Sequence, residues 1–193
     1  MKTGLVTDST ADLPTELVEK HHIEVIPSIL VIDGESFADG KDITREAFYA
    51  RMPSMKSPAT TAAPSAGSFM ERYEKLLTAG AENIFSIHPA ASLSGIFNAA
   101  RLAAESFGKR VHVIDSGQLS LGCGFQIIIA AEAIAQSAGA DEINRLLENS
   151  QKQLKVFAIL DTLEYLRRSG RVSWAKTRFG NLFKLKPMIE LTY

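Results

Sequence analysis

A strand–helix–strand unit near the middle of the chain restricts the fold more than any other feature of the sequence. Residues 84–88 and 111–114 are apolar, β-branched runs that predict buried strands, and residues 94–107 between them predict a helix. Strands joined through a helix pair in parallel, with a right-handed crossover. We therefore expect an α/β fold in which a mostly parallel sheet is flanked by helices.

Other segments extend this pattern on both sides of the unit. Residues 4–7 predict a further buried strand, residues 13–20 a short helix, and residues 23–32 a strand interrupted at Pro27. Asp33-Gly34 predicts a tight turn. The remaining predictions are a helix over 44–49 capped by Thr44, a loop over 51–65, helices over 65–77, 121–137, 141–154, 161–170 and 173–183, and strands over 155–160 and 186–191.

Three of these helices carry more specific expectations. The helix over 121–137 is apolar nearly all round, so it should be sandwiched between other elements. Asp141 should cap the helix that follows it. Residues 161–164 have the pattern of a capping box, and Gly170 should end the helix that begins there.

The composition excludes several classes of function. The 193 residues are 46% hydrophobic and carry 21 basic against 22 acidic side chains, so nothing indicates a nucleic-acid partner. Cys123 is the only cysteine, and therefore neither an intramolecular disulfide nor a cysteine-based zinc site is expected. Lys2 precedes any apolar run that could form a signal peptide, and Gln126 and Glu132 interrupt the most apolar stretch. We therefore expect a cytoplasmic protein.

Hydroxyl and acidic side chains follow three of the predicted strands. In parallel α/β sheets, ligands sit beyond the carboxyl ends of the strands. Together with the hydroxyl-rich loop over 60–65, these side chains therefore predict a pocket. The candidate pocket residues are Asp8, Ser9, Ala62, Ser65, Ser92, Asp115 and Ser116.

Ser94-Gly95 is the strongest candidate site, because it opens the helix over 94–107. A helix N-terminus offers free N–H groups and roughly half a positive charge, so it can bind a carboxylate or phosphate without Lys or Arg. The hydroxyl of Ser94 would add a donor, and Gly95 would let a ligand approach the backbone. The alternative is that Ser94 only caps its helix. Asp8 has similar alternatives, as a metal ligand, a general base or the cap of the next helix.

The layout of strand, sharp turn, serine and helix also occurs in hydrolases with a nucleophile elbow. Here Ser92 stands where that motif needs its first glycine. Of the 4 histidines only His112 follows Ser94, and it lies in the middle of a predicted strand. The order serine, acid, histidine cannot be assembled, so we do not expect Ser94 to be a nucleophile.

No other motif indicates a cofactor or a metal. Gly122-Cys123-Gly124 begins a dinucleotide-binding pattern, but Ile127 stands at the position of its third glycine. The sequence contains no P-loop, and His21-His22 lacks a third ligand at metal spacing. A locally basic stretch over 161–190 is either solvated surface or a docking surface for an acidic partner. The candidate docking residues are Arg167, Arg168 and Arg171.

Several motifs, taken in order along the chain, resemble those of the DegV family. The similarity runs from residue 2 to residue 191, and the order and spacing of the motifs carry it. The motifs are Thr7-Asp8-Ser9 with Asp12-Leu13-Pro14, residues 37–43 leading to Phe48-Tyr49, residues 61–65 with Gly67, Leu93-Ser94-Gly95, residues 113–116 and residues 165–171.

The resemblance implies a two-lobed α/β protein that buries a long-chain fatty acid between its lobes. Residues 1–154 would form the first lobe and residues 155–193 the start of a second, truncated one, against which the loop and helix around 55–78 would pack. Some members are the fatty-acid-binding subunit of a bacterial fatty acid kinase and present the carboxylate to an ATP-dependent catalytic subunit. The carboxylate-holding hydroxyls of the family correspond to Thr61 and Ser94. The resemblance thus implies a binding protein without cofactor or catalytic residues, compatible with transient membrane contact.

The sequence departs from the family's pattern around the expected head-group site. Ala62 replaces a serine of the loop, Ala90-Ala91 replace a serine pair, and Ile96 stands where the family commonly has threonine. Family members also continue beyond the end of this chain into the rest of the second lobe, which brings a histidine to the carboxylate. Two alternatives therefore stay open. One is an enzyme that acts on a small phosphorylated or carboxylated metabolite through Asp8 and Asp115, and the other is a truncated remnant that binds no lipid.

Overall fold

The computed structural model of the chain describes residues 2–171 and 186–191. The chain divides into two units, Met1–Leu154 and Lys155–Tyr193. The strands are β1 Thr3–Asp8, β2 Glu24–Ile26, β3 Ile29–Ile32, β4 Glu35–Ala38, β5 Thr60–Ala62, β6 Asn83–His88, β7 Val111–Asp115, β8 Val156–Ile159 and β9 Met188–Leu191. The helices are α1 Thr15–Lys20, α2 Arg45–Arg51, α3 Ala66–Thr78, α4 Ile96–Ala104, α5 Leu121–Ala135, α6 Ala140–Gln153 and α7 Glu164–Ser169.

A parallel sheet of four strands forms the centre of the first unit, in the order β2-β1-β6-β7. Every neighbouring pair in it is parallel, and Gly4 of β1, for example, stands beside Ile84 of β6. Its strands are rich in apolar residues because helices cover both faces of such a sheet. The predicted strand–helix–strand unit is therefore confirmed as β6, α4 and β7, and the α/β fold class is confirmed with it.

Helices pack on the two faces of the parallel sheet and create two apolar clusters. Leu5 and Phe85 point to one face, where they pack against α5 and α6 through residues such as Ile127. Val6 and Ile84 point to the other face, which packs against α3 and α4. Neighbouring residues of one strand thus serve opposite faces, as the two-residue period of a strand requires.

Helix α5 packs against the parallel sheet and against α6, and it leaves one stripe of its surface exposed. Gly124 lies so close to the backbone of Ala11 that an added Cβ would come within 2.7 Å of its carbonyl oxygen, which explains the glycine. Leu121 and Phe125, in contrast, are 46% and 53% exposed. Among the described residues α5 thus contacts both the sheet and α6, and the prediction that it is sandwiched is wrong only for the stripe that carries Leu121 and Phe125.

A second sheet, antiparallel and in the order β4-β3-β5, is not predicted by the sequence. Asp33 and Gly34 make the predicted tight turn between β3 and β4, with φ angles of 51° and 90°. Strand β5 pairs with β3, so that Thr61 stands opposite Leu30. The loop predicted over 51–65 is thus wrong at β5, because three small residues without apolar alternation form a strand only when a partner strand is present.

Three helices begin differently from the prediction. Helix α4 begins at Ile96, later than expected. Asp141 lies in the first turn of α6 instead of capping it, where its charge still favours the helix dipole. At α7 the hydroxyl of Thr162 accepts from the N–H of Glu164 at 3.2 Å, and the capping box predicted over 161–164 is not formed.

The second unit contains the antiparallel pair β8 and β9 together with α7. Helix α7 ends at Gly170, as predicted, with a φ of 70° that glycine adopts readily. The helix predicted over 173–183 lies outside the described residues. Among the helices that are described, none is long and apolar enough to cross a membrane.

Candidate functional site

The carboxyl ends of three parallel strands lie side by side at one edge of the sheet. Asp8 ends β1, His88 ends β6 and Asp115 ends β7. His88 and Asp115 are partners in the strand register, and the turn that leads from β6 to α4 leaves from the same edge. The structure thus brings together the three strand ends that the sequence marks as candidate sites.

Ser94 lies in the turn just before α4. The N–H groups of Leu93 and Ser94 donate to the carbonyl of Ala90 at 2.9 and 3.1 Å. Ser94 Oγ accepts from the N–H of Ile96 at 3.3 Å, so the serine does part of the capping that the alternative interpretation gives it. The hydroxyl proton of Ser94 is donated to no atom of the described residues, and the half-buried side chain leaves this donor at the amino end of α4.

The segment that follows β5 runs beside the amino end of α4. A Cβ atom added to Gly95 would lie 3.9 Å from the Cβ of Ala63. Thr61 stands shortly before Ala63, in β5, and is exposed. Gly95 is exposed too and forms the N-cap of α4 without a side chain. The hydroxyl-bearing segment and the helix terminus that the sequence singles out are therefore neighbours in the fold.

Four further candidates are either bonded to the backbone or exposed. Ser9 Oγ accepts from a backbone N–H of the loop between β2 and β3 at 3.0 Å. Ser65 caps α3, because its Oγ accepts from the N–H of Ser68 at 3.1 Å. Ala62 and Ser92 are exposed and have no such role. The assignment of these four residues to a ligand pocket stays a prediction.

Asp115 uses both oxygens of its carboxylate to hold backbone groups. Oδ1 accepts from the N–H of Gly117 at 2.9 Å, and Oδ2 accepts from the N–H of Ala91 at 3.2 Å. Ser116 is buried, and its hydroxyl bonds to the backbone of Gln118. These bonds favour a structural role for both side chains over the general-base role considered for Asp115.

Asp8 belongs to a buried chain of polar side chains that sequence reasoning missed. Its Oδ1 accepts from the N–H of Thr10 at 3.1 Å, so Asp8 caps a short 3-10 turn over Ser9–Ala11 and not the predicted helix, whose N-cap is Pro14. Its Oδ2 lies 2.8 Å from His88 Nδ1. His88 Nε2 lies 2.7 Å from Ser86 Oγ, which in turn lies 2.7 Å from the Tyr73 hydroxyl. Burial raises the pKa of Tyr73 to about 12, so the phenol at the end of this series of side chains stays protonated.

This buried chain has the composition of a catalytic triad but cannot act as one. The side chains of Asp8 and His88 have no exposed surface, and Ser86 and Tyr73 are equally buried, so no substrate can reach the serine. These hydrogen-bonded side chains instead connect β1, β6 and α3. The signal in the sequence is that Ser86 and His88 lie two residues apart on one face of an otherwise apolar strand.

The described residues hold no arrangement of three or more His, Cys, Asp or Glu side chains that could bind a metal. The candidate docking residues lie in the second unit. Arg167 and Arg168 share the carboxylate of Glu164, at 3.4 and 2.6 Å, and the guanidinium of Arg171 donates to the carbonyl of Ser169 at 3.1 Å. All three arginines are exposed, so α7 and the residue beyond Gly170 carry more positive than negative charge.

Comparison with known proteins relates the chain to one family. The model of the DegV family, described as uncharacterised proteins, matches residues 2–192. A DegV domain-containing protein of Staphylococcus aureus (strain MRSA252) is 39% identical over 187 residues, which are 97% of this chain and 66% of that protein. The chain therefore spans slightly less than two thirds of the length of such curated relatives.

Two solved structures are similar in fold to this chain. One is described as fatty acid binding of a DegV family protein from Thermus thermophilus, with a TM-score of 0.89, 33% identity, and coverage of 100% of this chain and 68% of that one. The other is a stearic acid-binding protein from Eubacterium ventriosum, with a TM-score of 0.88, 26% identity, and coverage of 100% and 67%.

Replacement of His88 by leucine should lower the free energy of unfolding by about 3 kcal/mol, because Asp8 would keep a buried carboxylate without its imidazole donor. Tyr73→Phe is the matched control. It removes one hydroxyl and leaves Ser86 able to donate to His88, so it should cost only about 1 kcal/mol. Urea unfolding of both variants measures the two costs. Equal losses would contradict the importance assigned to the contact between Asp8 and His88.

Proposed function

Because this chain belongs to the DegV family, whose model matches residues 2–192, we propose that it binds a long-chain fatty acid. The carboxylate would lie at the amino end of α4, within reach of Ser94 and Thr61. The relatives from T. thermophilus and E. ventriosum are described as binding fatty acid and stearic acid, which supports this class of ligand. The observation that carries the proposal is the hydroxyl of Ser94 at the start of α4, with the segment around Ala63 beside it.

The amino end of α4 suits a carboxylate on electrostatic grounds. The aligned peptide dipoles of this 9-residue helix concentrate positive charge there, equivalent to about half an elementary charge. The exposed N-cap Gly95 has no side chain to keep a ligand away from the backbone. Ser94 would donate a charge-assisted hydrogen bond to one carboxylate oxygen. Thr61 would supply a second hydroxyl from the facing segment.

The hydrocarbon tail would supply most of the affinity. Each buried methylene contributes about 0.8 kcal/mol, so about fifteen of them would give on the order of 12 kcal/mol before the costs of association. The small side chains of Ala62, Ala63 and Ala91 are exposed or partly buried near the amino end of α4, and they leave room for a ligand. The head group then needs only to have its own hydrogen bonds satisfied.

We propose that this chain binds its ligand without transforming it. The carboxylates of Asp8 and Asp115 already accept hydrogen bonds at both oxygens, which makes neither a ready general base. The serine of the buried polar chain is sealed from solvent. A fatty acid held by its tail offers its carboxylate to a second protein. The partner we propose is the ATP-dependent catalytic subunit of a fatty acid kinase, which would phosphorylate that carboxylate.

The proposed docking surface for this partner consists of Arg167, Arg168 and Arg171. Of these side chains, Arg168 approaches Glu164 most closely, at 2.6 Å, and the same carboxylate also serves Arg167. One acidic group thus offsets only part of the combined charge of Arg167 and Arg168. An acidic surface on the catalytic subunit would complement the remainder and would orient the two proteins as they meet.

Ser94→Ala and Thr61→Val should each weaken fatty acid binding by about 1–3 kcal/mol, the scale of a hydrogen bond to a charged group. Isothermal titration of the delipidated protein with a long-chain fatty acid measures the loss. Ser106→Ala is the control, because Ser106 is an exposed serine just beyond the carboxyl end of α4, and it should change the affinity little. Wild-type affinity in both the Ser94 and Thr61 variants would refute the proposed head-group site.

Charge reversal at Arg168 and Arg171 should lower the rate at which the catalytic subunit forms acyl phosphate, because the attraction between the two surfaces would become repulsion. Added salt should slow the wild-type pair in the same direction. The double variant Lys109→Glu and Lys152→Glu, at two exposed positions of the first unit, is the control for the same change in net charge. Equal rates for wild type and the double arginine variant would show that the partner docks elsewhere.

A further inference from the structure

The turn between β6 and α4 is fastened to the end of β7 by one side chain, that of Asp115. Its Oδ2 accepts from the N–H of Ala91, and its Oδ1 accepts from the N–H of Gly117, at 3.2 and 2.9 Å. From this bridge we infer that Asp115 is the positioning residue for Ser94, and thereby determines the preference for a charged head group over an uncharged one. The inference rests on the fatty acid binding proposed above and assigns Asp115 no contact with the ligand.

The bonds between Asp115 and Ser94 form a short, continuous path through the backbone. Next to the anchored Ala91, the N–H of Ala90 donates to the carbonyl of Gln118 at 2.8 Å. The carbonyl of Ala90 then accepts from the N–H groups of Leu93 and Ser94 at 2.9 and 3.1 Å. Ser94 is therefore bonded to Ala90, which is itself bonded to the chain after β7 and is the neighbour of Ala91, the residue that Asp115 anchors.

The end of β7 is itself well anchored, so it can serve as a fixed base for the turn. The carbonyl of Asp115 accepts from the side-chain amide of Gln151 on α6 at 2.8 Å. The N–H of Ser116 donates to the carbonyl of His88 at 3.0 Å. Helix α6 and strand β6 thus fix the backbone on both sides of Asp115, and the turn that carries Ser94 follows the position of its carboxylate.

A carboxylate at position 115 is suited to holding the turn in position, whereas its negative charge by itself would weaken the binding of an anion. An ionised aspartate offers acceptors at both oxygens, whereas asparagine offers one acceptor and one donor, so asparagine cannot accept from both Ala91 and Gly117. A negative charge close to an anion site also disfavours a bound carboxylate. If the charge of Asp115 were its main effect, Asp115→Asn would tighten fatty acid binding. If position is its main effect, the same substitution weakens binding.

The test compares a long-chain fatty acid with the fatty alcohol of equal chain length. Both ligands are titrated into wild type, Asp115→Asn and Asp115→Ala. We expect Asp115→Asn and Asp115→Ala to weaken the fatty acid about tenfold or more, and the alcohol by less than about threefold. Asp42→Ala is the matched control, because Asp42 also accepts from a backbone N–H, that of Ala38 at 2.8 Å, in the turn that follows β4. It should leave both affinities at the wild-type level.

A double-mutant cycle tests whether Asp115 acts through Ser94. In the Ser94→Ala background, Asp115→Asn should weaken fatty acid binding by less than half of the factor seen in wild type, because the donor that Asp115 positions is already gone. Equal factors in the two backgrounds would overturn the inference. So would fatty acid binding by Asp115→Asn as tight as wild type or tighter, or an equal loss for acid and alcohol, which would indicate general damage to the fold. A wild-type protein that binds neither ligand would instead refute the proposed function itself.

Discussion

The parallel pairing of β1, β6 and β7 is the constraint on which the rest of the structure depends. It sends three carboxyl ends to one edge of the sheet, and each end carries a polar side chain that must be satisfied there. Asp8 and His88 satisfy each other in the interior and so join β1 to β6. The carboxylate of Asp115 accepts from a backbone N–H of the turn between β6 and α4. The polar groups of the strand ends thus hold the turn that leads into α4, whose N-cap Gly95 is exposed.

The proposed separation of tail and head would explain how a nearly neutral protein could bind an acid. A net charge of −1 gives no general attraction for an anion. In the proposed site, Ser94 and the dipole of α4 would supply a local attraction that needs no lysine or arginine at the head group. A fatty acid needs little more, since its apolar tail carries most of the binding free energy. A head group held by only a few hydrogen bonds would also remain accessible to the proposed partner.

The sequence predicts the elements whose local pattern and tertiary environment agree. The apolar strands β6 and β7, the turn at Asp33 and the stop at Gly170 belong to this group. Strand β5 escapes prediction because its pairing with β3, through Thr61 and Leu30, is a long-range interaction that three small residues do not encode. The contact of His88 with Asp8 escapes for a related reason. Each residue has an ordinary local interpretation, and only the parallel register of β1 and β6 brings the two side chains together.

Carbon-13 NMR of a bound fatty acid labelled at its carboxyl carbon tests the head-group site most directly. The sample would be titrated from about pH 8 to about pH 5, above the ordinary pKa of a carboxyl group. Hydrogen bonds from Ser94 and the amino end of α4 favour the ionised form, so we expect the labelled carbon to keep its ionised chemical shift throughout. A carboxyl group buried without such donors has its pKa raised by desolvation. Protonation of the bound acid within this range would contradict a carboxylate held at the start of α4.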